Sequence, residues 1–356
     1  MAEKKYRLPA EWEPQAAVWL TWPDNKETWP ENLFEAQIEF CALVHCLAEM
    51  ITVRVIVNQP SLDEAYKRLI RPDIRNVGFI NIPTNDAWAR DYAPTFVASN
   101  DDALVAIDWD YNAWGGKYPP FEDDQQVAGK IATGMSIQTL RPGLCFEGGA
   151  IETNGQGIVL STLSCALDPN RNQGTPEELR QRFEAAFEKY LGAKQTIWLP
   201  GDAIDGDDTD GHIDQLVRFT DTNTLVYAFC DPDNDQHAAF AKNLAALQAG
   251  LADTGGDFDL HALPIPQQPI DFCGRRLPTS YCNFLITNDL VVVPQFGCPE
   301  DVQAMEILKP LFPDRYVVGL PSRNLSVGLG SFHCLSQQQP ATVAGVARLR
   351  DATVRP

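Results

Sequence analysis

The chain has 356 residues, 44% of them hydrophobic, with 26 prolines and 24 glycines, which is enough to fold around a sizeable core and too apolar for a disordered chain. No apolar run approaches the roughly 20 residues of a bilayer-spanning helix, and the opening stretch Met1–Pro9 is charged without a following apolar core, so neither a membrane segment nor a secretory leader is expected. The balance of 28 basic against 48 acidic residues, a formal −20, repels phosphate backbones and draws small cations, which excludes nucleic acid as the expected partner.

Nine cysteines lack the paired Cys-x-x-Cys spacing of a zinc ribbon and read as reduced thiols of a cytoplasmic protein. In chain order, Val53–Val57 reads as a buried strand. Ser61 then opens a short helix, with Glu64 three residues on completing a capping box, and Val77–Ile82 is the returning strand. The same order recurs. Leu104–Trp109 precedes a helix near 124–133 and a strand at 136–140. Ile158–Leu160 precedes a helix from Thr175 to Leu191, opened by a Thr175/Glu178 capping box, ended by Gly192 and followed by Thr196–Leu199. Leu225–Phe229 leads to a helix near 237–251 and a strand at 258–263, and Leu290–Val293 leads to a helix near 300–312 and Tyr316–Leu320. Hairpin turns at 154–157, 221–224 and 287–289 separate the units, and a purely parallel doubly wound sheet has no use for them. Five such units fit a closed radial arrangement of one domain, residues 1–356, with strands inside and helices outside.

Polar segments follow the second strand of each unit: Asn85–Asp91, Cys145–Gly149, Asp205–Asp214, Ser280–Asn283 and Gly328–Cys334. Around an axis they would converge, offering carboxylates, a histidine and a thiol, a nucleophile-and-base set suited to a cationic substrate. His212 and Asp214, two apart, would share one face of a strand. The acidic run 205–214 fails the calcium-loop pattern, because placing Gly211 sixth puts Gly206 first, and the five histidines are scattered, so no metal is expected. Cys334 stands apart from Cys41, Cys46 and Cys230 because Gly328, Gly330 and Ser331 let backbone approach a ligand ahead of it. Locally, a buried thiol and a nucleophile are equally good readings of it.

These segments, together with Pro9–Pro14, Trp88–Val97, Asn112–Gly116, Asn170–Asn172, Val293–Gly297 and His333–Pro340, resemble the agmatine deiminases and related bacterial-type peptidylarginine deiminases of the guanidine-modifying superfamily. The resemblance implies a five-bladed α/β propeller of ββαβ units around a pseudo-fivefold axis. It implies Cys334 as nucleophile, His212 as general acid and base, and Asp91 and Asp214 as the carboxylates that hold a guanidinium. Trp88, Glu147, Asp208 and Gly330 would contact substrate. It also implies a cofactor-free, metal-free hydrolase of agmatine serving polyamine formation, with peptidyl or free arginine as alternative substrates and homo-oligomerisation compatible with the fold. Two positions depart from the family pattern, Ala93 for a glycine and Leu329–Phe332 for Gly-Gly-Asn. From other classes, a non-catalytic polyamine binder fits the acidic charge, and a papain-like amidase is disfavoured because no Cys-Gly-Ser-Cys-Trp segment lies near the start.

Overall fold

Buried apolar runs, each followed by a helix with one apolar face, set the architecture. In the computed structural model, which describes residues 5–342 apart from positions 73 and 202, they form five sheets of three or four strands and one small hairpin, Asp271–Phe272 with Arg275–Arg276. The fold is mixed α/β. One unit recurs in all five sheets: an antiparallel strand pair, a helix, and a strand returning parallel to the second. Thr95–Ser99 pairs with Leu104–Ile107, and Gln138–Leu140 returns after helix Val127–Met135. Glu152–Thr153, Ile158–Thr162 and Gln195–Leu199 repeat the pattern, as do Val217–Phe219, Thr224–Phe229 and Asp259–Pro264, and Leu285–Ile286, Leu290–Gln295 and Tyr316–Pro321. The helix is needed because a parallel return must cross the whole sheet.

The remaining sheet corrects the expected first unit. Its leading strand is Gln15–Thr21, followed by helix Leu33–Ala48 and the parallel strand Val53–Val57. The antiparallel partner is Ser336–Pro340, and Trp19 Nε1 donates to Gln339 Oε1 (3.1 Å) across 320 positions of sequence. Helix Leu62–Leu69 and strand Val77–Asn81 are therefore an addition to this sheet, not its repeat unit.

Local chemistry explains where helices begin and end. Thr175 and Glu178 form the expected reciprocal cap. Ser61 does not cap; its hydroxyl donates to Asp24 Oδ2 (2.6 Å), and the chain enters through a 3₁₀ turn, Gln59–Ser61. The helix expected to run to Leu191 is α over Pro176–Ala186 and widens to a π turn over Phe187–Leu191, with Phe187 stacked on Trp198. Gly192 closes it at φ 72°, where a Cβ would lie 2.5 Å from Tyr6 O. The helix expected over 300–312 is α only to Leu308, because Pro310 has no N–H to continue it. Among the described residues no helix is long and apolar enough to cross a membrane. The ends of the expected domain, 1–4 and 343–356, lie outside the described residues.

Candidate active site

Each polar segment follows the last strand of a sheet, and the turns in which they lie bring their side chains together. Trp88 precedes the single-turn helix Ala89–Tyr92, which carries Asp91. His212 precedes the 3₁₀ turn Ile213–Gln215, which carries Asp214, so the two do not share a strand face as expected. Asp207 causes this: its carboxylate accepts from Thr209 N (3.2 Å) and Gly211 N (2.7 Å) and winds the chain into a turn ahead of His212.

Cys334 is 4% exposed. Its sulfur receives Asn283 Nδ2 at 3.1 Å and lies 3.6 Å from Asp214 Oδ2. Asn283 Oδ1 also accepts from His333 N (3.1 Å) and Cys334 N (3.3 Å), so one amide fixes both the thiol and its backbone. Arg90, buried and turned away from Asp91, holds the same segment: its backbone N–H donates to Cys334 O (3.1 Å) and its side chain to His333 O (3.2 Å) and Gln338 Oε1 (2.6 Å). Burial, followed by the charges of Asp214 and Asp91, pushes the thiol well above its ordinary range. These surroundings hold Cys334 as a thiol.

His212 is fully buried between two carboxylates. Its Nδ1 lies 3.7 Å from Asp91 Oδ1 and its Nε2 3.4 Å from Glu147 Oε2, at ion-pair range, and neither ring nitrogen makes a well-directed hydrogen bond. Burial works against a charged ring, yet Asp91 and Glu147 outweigh it and push His212 up to about 9. Gly149 makes this contact possible: a Cβ there would lie 2.5 Å from His212 Nδ1 and 2.7 Å from Asp91 Oδ1. Its N–H instead donates to Asp91 Oδ1 (3.0 Å), while Trp114 Nε1 donates to Asp91 Oδ2 (3.1 Å).

Asp214 receives His333 Nδ1 on Oδ2 (2.7 Å), and the other imidazole nitrogen of His333 meets Glu11 Oε2 at 3.0 Å. Glu11 in turn pairs with Arg218, which also donates to Glu152 Oε2 (2.8 Å). Burial raises the Asp214 carboxyl, but the bond and charge of His333, aided by His212 and Arg218, bring it below its ordinary value. Asp214 Oδ1 is buried and accepts nothing. A buried, ionised oxygen without a donor is a place for a ligand N–H.

A cavity of about 580 Å3 opens above this group, with Trp88, Asp91, Asp208, Gly330 and Cys334 in its wall. His212, Asp214 and Glu147 are fully buried and absent from that wall. Glu147, expected to meet substrate, instead contacts His212 and receives Arg171 Nε at 2.8 and 3.1 Å. Asp208 accepts from the Tyr118 hydroxyl, and burial raises it to about 6. Gly330 is required by the indole of Trp88, whose Cζ3 would lie 2.3 Å from a Cβ. Leu329 keeps a glycine-like φ of 73° in the cavity wall, whereas Ala93, at φ −73°, sits where any residue is at ease. Sequence reasoning assigned no role to Arg171, Trp114, Asn283 or the His333–Glu11–Arg218 chain. Among the described residues no group of three or more His, Cys, Asp or Glu side chains is spaced to hold a metal ion.

Residues 7–340 match the Porphyromonas-type peptidyl-arginine deiminase family. The chain belongs to that family. It is 34% identical to an agmatine deiminase of Pseudomonas fluorescens, over 94% of this chain and 96% of the relative. Among solved structures it resembles the agmatine deiminase of Enterococcus faecalis, with a TM-score of 0.87 and 29% identity, covering 96% of this chain and 98% of that one. It also resembles the C. jejuni agmatine deiminase with substrate bound, with a TM-score of 0.86 and 31% identity, again covering 96% and 98%. The three deiminase likenesses each cover nearly the whole chain, and the site lies within the family match.

Proposed function

We propose that the protein hydrolyses agmatine to N-carbamoylputrescine and ammonia through a covalent adduct on Cys334, as one catalytic domain over residues 1–356 whose five sheets stand as the blades of a closed propeller. The observation that carries this reading is the placing of one thiol 3.6 Å from a carboxylate, with a second carboxylate and a histidine raised to about 9 beside it, at a cavity floor.

A guanidinium spreads its charge over three nitrogens and is a sluggish electrophile. Asp91 and the unpartnered Asp214 Oδ1 can hold it by charge-assisted bonds with its carbon toward Cys334. The arriving cation offsets the burial and the carboxylate charges that keep the thiol protonated, so Cys334 releases its S–H proton to solvent and becomes thiolate. Sulfur attacks the carbon, and protonated His212 delivers its proton to the departing ammonia. The neutral ring then takes a proton from the water that cleaves the thiouronium. The family match also covers peptidyl-arginine deiminases, so arginine and peptidylarginine belong in the test panel.

Ammonia release with agmatine as substrate tests the reading. Cys334→Ser should lower turnover by roughly 10⁴-fold or more while far-ultraviolet dichroism and the melting temperature stay near wild type. Retained activity in that variant would refute the nucleophile.

A further inference from the structure

In the proposed reaction the sulfur of Cys334 carries negative charge twice, and only once with a cation in front of it. While protonated, its S–H can point at Asp214 Oδ2, 3.6 Å away. Once ionised, the sulfur faces that carboxylate across the same gap, and like charges so close repel. A bound guanidinium offsets the repulsion as the sulfur attacks. When the C–S bond later breaks, the carbon has taken up hydroxide and is no longer cationic, so the departing thiolate needs another support.

His212 does not provide it. Its ring nitrogens lie at ion-pair range of Asp91 and Glu147, and among the described residues no lysine, arginine or histidine side chain donates to Cys334 Sγ. What does reach the sulfur is neutral: Asn283 Nδ2 donates to it at 3.1 Å. Burial and the charges of Asp214 and Asp91 raise the thiol, whereas the Ser331 backbone N–H and the Asn283 amide pull it down.

The orientation of this amide is fixed by its other end. Asn283 Oδ1 accepts from His333 N (3.1 Å) and Cys334 N (3.3 Å), so exchanging O and N would set an NH2 group against two N–H donors. Its position is equally constrained. Asn283 is fully buried and ends the 3₁₀ turn Tyr281–Asn283, which Ser280 opens by accepting from Cys282 N (3.2 Å) and donating to Gln215 O (2.6 Å). The Tyr281 hydroxyl anchors the turn by donating to Asp301 Oδ1 (2.7 Å). A donor held this firmly needs no reorganisation when charge develops on the sulfur.

We propose that Asn283 is a catalytic residue, the neutral donor that holds the Cys334 sulfur as thiolate both when it attacks the guanidinium carbon and when it is expelled from the hydrated adduct. The inference rests on the deimination reading for these two steps. In the second, the C–S bond breaks with its electron pair left on sulfur and the carbon–oxygen bond becomes a carbonyl. The hydroxyl proton is shed and restores the resting thiol.

The test uses two uncharged variants, Asn283→Ala and Asn283→Ser, the second retaining a short hydroxyl for the backbone N–H groups. Alkylation of Cys334 by saturating 2-chloroacetamidine, a cationic probe, is followed across pH by peptide mass. The limiting rate rises as thiolate forms. In both variants that rise should move up by about 1–2 pH units, the size expected for losing a hydrogen bond to a charged group. With agmatine, kcat should fall about 10- to 100-fold while KM changes little, because no contact to the guanidinium has been removed. A rise that stays at the wild-type position in a folded variant, with only the melting temperature lowered, makes Asn283 a support for the 333–334 backbone and overturns the proposal. A shifted rise in a protein that releases ammonia from no guanidine upholds the thiolate donor and refutes deimination.

Discussion

Asp91 and Glu147 approach the same imidazole, His212, from opposite sides, and both are buried. Burial pushes Asp91 up to about 7, and Asp214 and Glu147 add to the rise. Burial pushes Glu147 up too, but the Arg171 guanidinium, followed by His212, overrides it and brings the carboxyl down to about 2. The difference lies in what stands behind each carboxylate. Glu147 backs onto the Arg171 guanidinium, which also donates to Asp168 Oδ2 (2.8 Å), Asp210 Oδ2 (2.6 Å) and Thr209 O (2.9 Å). Asp91 backs onto a neutral indole and a backbone N–H and faces the cavity. One acid is a fixed counter-ion and the other is open to the cavity. In the proposed reaction Glu147 keeps His212 charged, and Asp91 exchanges its partner for substrate.

Removing the guanidinium should break the contrast most severely. Arg171→Met leaves Glu147 buried without its cation, and losing one partner of such a pair costs about 3–5 kcal/mol. Urea unfolding should register that loss, and activity should fall with the charge on His212. The double variant Arg171→Met/Glu147→Gln should recover a large part of the stability, because no uncompensated charge remains. Additive losses in that cycle would mean that Arg171 stabilises only through Asp168, Asp210 and Thr209.

Asp91→Asn attacks the other side and should lower kcat/KM for agmatine by about 10²- to 10³-fold, the usual cost of removing one member of a buried charge pair. The pH profile gives the sharper reading. Asp91 must be ionised and His212 protonated, so wild-type kcat/KM should rise toward pH 7 and fall above pH 9. In Asp91→Asn the acid limb should vanish and the alkaline limb should move below 9, since Asp91 is the chief group raising His212. Stability carries the same sign. The folded carboxyl titrates near 7, above its ordinary 3.8, so its contribution is fully present below 3.8 and lost as pH rises through 7. The melting temperature of Asp91→Asn relative to wild type should therefore increase from pH 4 to pH 8. A flat difference would refute the raised carboxyl.

The side of this contrast that faces the cavity stands in motifs legible in sequence, and the other side does not. Cys334, His212, Asp91 and Asp214 stand in short motifs whose residue types suit the proposed chemistry, and the strand–helix alternation placed those motifs at equivalent ends of successive sheets. The family resemblance placed Glu147 in the substrate wall, but a carboxylate beside a cation site has two possible partners. Only the position of Arg171, 24 residues further on, decides between them. The pairing of Glu11 with Arg218 spans 207 residues, and that of Gln15–Thr21 with Ser336–Pro340 joins the two ends of the described chain. Local pattern carries no signal for such distances. The turn at Asn112–Gly116 belonged to the family resemblance, but its residue types suggested no chemistry until its backbone was known.

That turn supplies the smallest expected effect. Ala113, Trp114, Gly115 and Gly116 all have positive φ, at 53°, 56°, 85° and 79°, which is a left-handed turn containing two residues with side chains. Left-handed helical geometry costs roughly 1–2 kcal/mol for each such residue. Asn112 offsets part of this by accepting from Gly115 N through its side chain (2.9 Å) and from Gly116 N through its carbonyl (2.7 Å). The conformation aims the Trp114 indole N–H at Asp91 Oδ2, and the ring packs edge-on against Tyr111 and Tyr118. Trp114→Phe keeps an aromatic ring in that slot and deletes one donor. A hydrogen bond to a charged group contributes about 1.5–3 kcal/mol, and the loss falls on the ionised form of Asp91. The acid limb of kcat/KM should move above 7, so activity should drop about tenfold at pH 6.5 and by much less at pH 8.5. A uniform loss across pH would mean that Trp114 only fills space, and the contrast between the two carboxylates would then owe nothing to it.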